Sequence, residues 1–297
     1  MDRQPKTIVL IHGLWMTPRS WTLFRRFFEE RGYHVLAPAW PRMEGEIEDI
    51  RRDPSVLAGL GVREIVDHYE QILGTMDEQP ILVGHSFGGL IVQLLLDLGY
   101  GAAGVAINAT VPRGIFRLPL SVIRTASPVL SDPRNYHRTV ALTFEEFYCA
   151  FANTMTGSDA RSAYEHLAVP GPGRPIFQAL LANFLPNSAT KVNHLDDARP
   201  PLLLLAGAAD NLVPAVLNEI NYRKYARSSA QTEYQEFPCR SHLMIAQEGW
   251  QDVADYTLYW IRSKTERGNP SVRESGRFGF RVDAAARDSD QEVPAFW

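Results

Sequence analysis

Gly84-His85-Ser86-Phe87-Gly88 sets a serine between two glycines in the pattern G-x-S-x-G, directly after the apolar run Ile81 to Val83 and before the helical run Gly89-Leu90-Ile91. A strand that turns into a helix over so few residues holds its central serine in a strained conformation and presents the hydroxyl instead of packing it. The glycines on either side let strand and helix approach where a Cβ would not fit. A hydroxyl presented in this way suits covalent acyl transfer, provided a base takes its proton and a third group orients the base.

Eight histidines compete for the role of base. In a sheet whose strands run parallel, functional groups gather past the carboxyl ends of the strands, which leaves His12, His85 and His242 as candidates. His85 lies inside the turn beside Ser86 and should point away from it, as a structural histidine. His242 leaves the last apolar run in the loop Phe237-Pro238-Cys239-Arg240-Ser241-His242 and is the expected base. For the acid, Leu202 to Ala206 runs into Gly207-Ala208-Ala209-Asp210-Asn211, so Asp210 stands just past a strand end. Asp196 and Asp197 precede the same strand, at the wrong edge to reach the serine. One strand earlier, where an acid could also stand, the chain reads Ala106-Ile107-Asn108-Ala109-Thr110, without a carboxylate.

The negative oxygen that develops during acyl transfer needs donors already in place. The backbone N–H of Phe87, at the start of a helix, is one, and the helix dipole adds to it. The first strand ends in Ile11-His12-Gly13-Leu14-Trp15. Gly13 allows that loop to turn over the serine, so the N–H of Leu14 is the expected second donor, with His12 bracing the loop.

Six runs must position these residues as strands: Thr7 to Ile11, His34 to Pro38, Ile81 to Val83, Gly104 to Ile107, Leu202 to Ala206 and Thr232 to Phe237. Most are continuous Val, Ile and Leu, the mark of strands covered on both faces, and helical patterns such as Trp21 to Arg31, Val62 to Met76 and Leu90 to Leu98 separate them. The expected architecture is α/β: a doubly wound, mainly parallel sheet of about six strands with an inserted helical cap. Residues 1–111 and 194–263 form the core and 112–193 the cap, which opens with Pro112, Pro119, Pro128 and Pro133. In the cap Phe144, Phe147, Tyr148 and Phe151 recur at helical spacing, and Phe147 and Phe151 share a face. With Trp15 and Met16 beside the oxyanion loop, Phe147 and Phe151 are the expected substrate pocket. Residues 264–297 mix charge with Gly, Pro and Ser and read as a polar, flexible tail.

The residues Ile11-His12-Gly13, Gly84 to Gly89, Asp210-Asn211-Leu212-Val213-Pro214 and Ser241-His242 make the chain resemble the α/β-hydrolase superfamily, in its serine-hydrolase branch, over roughly Thr7 to Arg262. The order Ser, Asp, His along the chain matches that family. The resemblance implies Ser86 as nucleophile, Asp210 as acid and His242 as base, acting on a carboxylic ester or related acyl compound through an acyl-enzyme. No metal or cofactor is implied. The fuller fold opens with an antiparallel hairpin, for which the residues before Thr7 are too few. Cofactor-free haloperoxidase or perhydrolase chemistry, or carbon–carbon bond hydrolysis, would use the same three residues. A small-molecule receptor on this fold is the reading from outside catalysis.

Composition narrows the classes further. The chain has 297 residues, 45% hydrophobic and 22% charged, with a formal charge of −4. A globular chain of this length buries roughly three quarters of its unfolded surface. The charge balance offers no field for nucleic acid, and no apolar run is long enough to span a membrane. The first residues lack the features of a secretory signal, so the cytoplasm is the expected compartment. Two cysteines, Cys149 and Cys239, read as free thiols. The partner implied is a small hydrophobic ester; nothing in the sequence sets the oligomeric state.

Overall fold

The computed structural model describes residues 6–265. In chain order its strands are β1 (Thr7–Ile11), β2 (His34–Leu36), β3 (Ile81–His85), β4 (Ala103–Ile107), β5 (Thr139–Val140), β6 (Gly171–Pro172), β7 (Leu202–Gly207) and β8 (Thr232–Phe237). Six of them make one sheet in the order β2-β1-β3-β4-β7-β8, and every pairing in it is parallel. β5 and β6 form a separate antiparallel ladder of two residues each.

Period two explains how the inner strands serve two cores at once. Ile8 and Leu10 of β1 enter one apolar cluster with Val83 and Leu203, whereas Val9 and Ile11 enter the other with Leu82 and Leu204. The first cluster is closed by Phe24 and Phe28 of α1 (Thr22–Glu29) and by Val253 and Ile261 of the last helix, Trp250–Thr265. The second is closed by α3 (Val62–Leu73), α4 (Phe87–Asp97) and a helix over Ala215–Tyr225, with the short α2 (Ile47–Arg52) beside them. Each fully buried Leu, Ile or Val contributes roughly 1.5–3 kcal/mol, so both faces of the sheet are held strongly. β8 is an edge, and its sequence Thr-Glu-Tyr-Gln-Glu-Phe stays largely half-exposed, as an edge strand tolerates.

Between β4 and β7 the chain builds α5 (Leu120–Leu130), α6 (Phe144–Phe151), α7 (Gly157–Leu167) and α8 (Arg174–Leu180), followed by a 3₁₀ turn at Ala182–Phe184. α6 starts with a capping box: Thr143 Oγ1 accepts from the N–H of Glu146, and the Glu146 carboxylate accepts from that of Thr143. The helix over Ala215–Tyr225 is then α9 and the last one α10. α10 runs past residue 263, where the core was expected to end. Lys264, expected to open the tail, is helical and pairs with Glu233 of β8; residues 266–297 of that tail lie outside the described residues. Cys149 and Cys239 are free thiols.

The site follows from one feature of this topology. β1 lies between β2 and β3, so the chain leaves β1 to one side and builds the rest of the sheet to the other. At such a reversal the carboxyl ends of the two central strands open a crevice. Ile11 of β1 is registered opposite Gly84 of β3, so His12-Gly13 and Ser86 emerge side by side at that crevice.

Candidate active site

Ser86 sits between β3 and α4 at φ 57° and ψ −120°, a region an L-residue enters only when its surroundings force it. The forcing groups are identifiable. The Ser86 N–H donates to Ile107 O of β4, and its carbonyl accepts from Thr110 N–H at 3.0 Å. A Cβ on Gly88 would overlap the carbonyl of Ile11, so glycine is required for α4 to lie this close to β1. The serine is buried to 2% exposure, and its hydroxyl makes no hydrogen bond among the described residues.

His242 and Asp210 are brought together from the loops after β8 and β7. His242 Nδ1–H donates to Asp210 Oδ2 at 2.6 Å, with both side chains fully buried. The other carboxylate oxygen, Oδ1, accepts from the N–H groups of Leu212 and Val213 at 2.8 Å each. Burial pushes the Asp210 carboxyl above the usual carboxylate range, while His242 and these two N–H groups pull it down. With Nδ1–H committed to Asp210, Nε2 is the ring nitrogen that can take a proton, and it is buried without a partner. No hydrogen bond joins it to Ser86, as is common before substrate binds.

Three elements fix the His242 loop. Asn108, just past β4, donates from Nδ2 to the carbonyls of Ser241 and His242 at 3.0 Å, and its Oδ1 accepts from Gly207 N–H at 2.7 Å. His85 donates from Nε2–H to the His242 carbonyl at 2.7 Å. The N–H of Leu243 donates to Phe151 O of α6. His85 is therefore a neutral structural histidine whose pKa burial holds well below its ordinary value. Asn108 stood out in the sequence only as a missing carboxylate. Its position past a central strand was the available signal.

The loop after β1 touches the serine directly. A Cβ on Gly13 would lie 2.8 Å from Ser86 Cβ and 3.4 Å from its Oγ. His12 braces this loop from beneath: its Nδ1–H donates to Gly13 O at 3.0 Å, and its Nε2 accepts from Trp40 N–H at 3.1 Å. Burial lowers the His12 pKa to about 4, so the ring is neutral at pH 7. The N–H of Leu14 donates to no other backbone group among the described residues. That of Phe87, first in α4, has no acceptor within the helix. The N–H groups of Leu14 and Phe87 are thus both left without a backbone acceptor among the described residues.

A cavity of about 210 Å³ opens onto Ser86 and is lined mainly by apolar groups, among them Trp15, Phe87, Val122, Ala126 and Leu217. Of the residues expected to form the pocket, Trp15 lines this cavity. Met16, Phe147 and Phe151 form no part of its wall. Met16 is wholly buried in the core. Phe147 and Phe151 stack on each other at 5.0 Å, and Phe151 presses edge-on against the His242 ring at 4.9 Å. Helical spacing correctly places these two rings on one face, but that face meets His242 and not the cavity.

Comparison with known proteins agrees with this architecture. The model of a family described as the alpha/beta hydrolase family matches residues 8–256. The comparison with curated protein sequences gives no match. Among solved structures, a monoacylglycerol lipase of Paleococcus ferrophilus is similar at 18% identity and a TM-score of 0.62, covering 88% of this chain and 96% of its own. A pyrethroid hydrolase from Sphingobium faniae is similar at 19% identity and TM-score 0.59, covering 87% and 98%. Polyneuridine aldehyde esterase shows 18% identity and TM-score 0.60 over 86% and 98%. At these identities the likeness is one of fold.

Proposed function

The chain belongs to the alpha/beta hydrolase family, and on that premise we propose that it is a serine hydrolase that cleaves hydrophobic carboxylic esters through an acyl-enzyme on Ser86. The observation that carries this reading is the buried Asp210–His242 pair, whose one free nitrogen has no partner, held by His85 within the turn that strains Ser86. In this reading His242 Nε2 takes the proton of Ser86 as Oγ attacks the acyl carbon. Asp210 holds the tautomer and stabilises the imidazolium, and the N–H groups of Leu14 and Phe87 receive the oxyanion. The imidazolium then gives its proton to the leaving alkoxide, and water, activated by the same base, releases the acid. Residues 112–193 act as a cap that supplies most of the cavity wall. Its apolar lining and volume of about 210 Å³ favour a medium-sized acyl group.

A fluorophosphonate label followed by peptide mapping tests the nucleophile, and an ester panel of graded acyl length tests the pocket. The adduct is expected on Ser86. Single alanine changes at Ser86 and His242 should each lower kcat by about 10⁴ to 10⁶, and the double change should cost little more. An adduct on another serine, or losses that add, would remove the assignment.

A further inference from the structure

Eleven large apolar side chains are exposed among the described residues, and seven fall in two short stretches of the insertion: Phe116, Leu118, Leu120 and Ile123, then Leu181, Phe184 and Leu185. Isolated exposed apolar residues are ordinary, but a cluster is not. The two stretches adjoin. Asn183 Oδ1 accepts from Gly114 N–H at 2.6 Å, Asn183 Nδ2 donates to Ile115 O at 2.7 Å, and Arg113 donates to Pro186 O at 2.8 Å. Phe116 and Phe184 are each 80% exposed and Leu120 83%, so these side chains contribute little to the core. Phe116, Leu118 and Phe184 also line the cavity that reaches Ser86, so the apolar face surrounds its mouth.

The charge of this face is one-sided. No Asp or Glu occurs between Asp97 and Asp132, nor between Glu165 and Asp196, in a chain of net charge −4. Arg117 and Arg124 are exposed within the first stretch. Lys224 reaches its edge, with Nζ 3.2 Å from where a Cβ on Gly114 would stand. A second copy meeting this face through a two-fold axis would set these cations against themselves. An anionic lipid surface matches both properties: the rings and leucines enter the acyl region, and the cations remain at the phosphates.

We propose that this face docks the protein on anionic lipid surfaces with the cavity mouth turned into the lipid. A lipid-borne acyl compound then reaches Ser86 without crossing water. Docking stands independently of the chemistry; only this delivery of substrate rests on the reading of Ser86 as nucleophile.

Flotation of the full chain with phosphatidylcholine vesicles containing about 30% phosphatidylglycerol tests the proposal, with pure phosphatidylcholine as control. The chain should float with the anionic vesicles and be released by high salt, because the attraction of the cations is screened. Leu120→Glu with Leu185→Glu changes two exposed side chains outside the cavity wall. This double variant should bind at least about tenfold more weakly, while keeping its melting temperature and its rate on a water-soluble short-chain ester. Arg124→Gln, which leaves the apolar face intact, should weaken binding and flatten its salt dependence. Ser86→Ala should float like the parent, so a failure of the proposed chemistry remains distinct from a failure of docking. No association of the parent chain with anionic vesicles would overturn the proposal, as would undiminished binding by the double variant. A dimer in vesicle-free solution that the double variant dissociates, without vesicle binding, would give the face to a second copy and overturn it equally.

Discussion

The Asn108 side chain commits its amide to two loops, accepting from Gly207 N–H and donating to the carbonyls of Ser241 and His242. It joins the strand end that leads to Asp210 with the loop that carries His242. Asn108→Asp keeps the shape but replaces the donor with an oxygen that faces two carbonyls. The loss of those bonds, with the Ser241 carbonyl left unpaired while His85 still donates to that of His242, should cost about 2–4 kcal/mol of stability, read by urea unfolding. Because the His242 loop is freed as well, kcat should fall by about 10²-fold while KM changes little. Asn108→Asp with unchanged kcat would show that His85 and Phe151 suffice to hold the loop. Gly13 makes a second case at this scale. A methyl there must displace Ser86 or the loop, since it would stand 2.8 Å from Ser86 Cβ. Gly13→Ala is expected to lower kcat by about 10² to 10³, the size of losing one oxyanion donor, with the fold retained by near-ultraviolet circular dichroism.

α6 carries the largest departure from the sequence reading. Phe147 and Phe151 are both fully buried and stacked, with Tyr164 of α7 edge-on to Phe147 at 5.4 Å. Phe147→Ala should therefore cost about 3–5 kcal/mol of stability and leave the acyl-length profile unchanged. Selectivity should respond to the cavity wall: Ala126→Leu, on α5, narrows the pocket and should shift preference toward shorter acyl chains by about tenfold in relative kcat/KM. A Phe147→Ala variant with an altered profile and parental stability would reverse this assignment. The physical reason for the departure is one of range. Ser86, Asp210 and His242 were legible because each follows its own strand end, and parallel strands bring those ends to one edge whatever lies between. The strands themselves were legible because burial on both faces writes continuous apolar runs. Which side of α6 faces the cavity depends on how α5, α6, α7 and α8 settle on the core, through contacts such as Leu243 N–H to Phe151 O that local spacing does not encode.

At the scale of the whole molecule, the sheet buries histidines on both sides of the central crevice, and this makes the fold sensitive to acid. His12 and His85 are wholly buried, each accepts or donates only to backbone groups, and burial depresses both pKa values, that of His12 to about 4. Between that value and the ordinary 6.5 of the unfolded chain, the unfolded state binds a proton that folded His12 does not. Stability therefore rises with pH through this window and is lost on acidification from pH 6.5 toward 4. Asp210 acts in the opposite sense, since its raised carboxyl favours the protonated folded state. A difference measurement removes that and every other shared group. In His12→Gln the amide still offers a donor toward Gly13 O and an acceptor toward Trp40 N–H, but it does not titrate. Urea unfolding at pH 7 and pH 4 should show the parent losing about 3 kcal/mol more than the variant, the value a shift of this size gives at pH 4. An equal loss in both would mean that His12 titrates alike in the folded and unfolded chain. The ring would then be reachable by water, and the loop after β1 would not seal it against Gly13 and Trp40 as the bonds at 3.0 and 3.1 Å require.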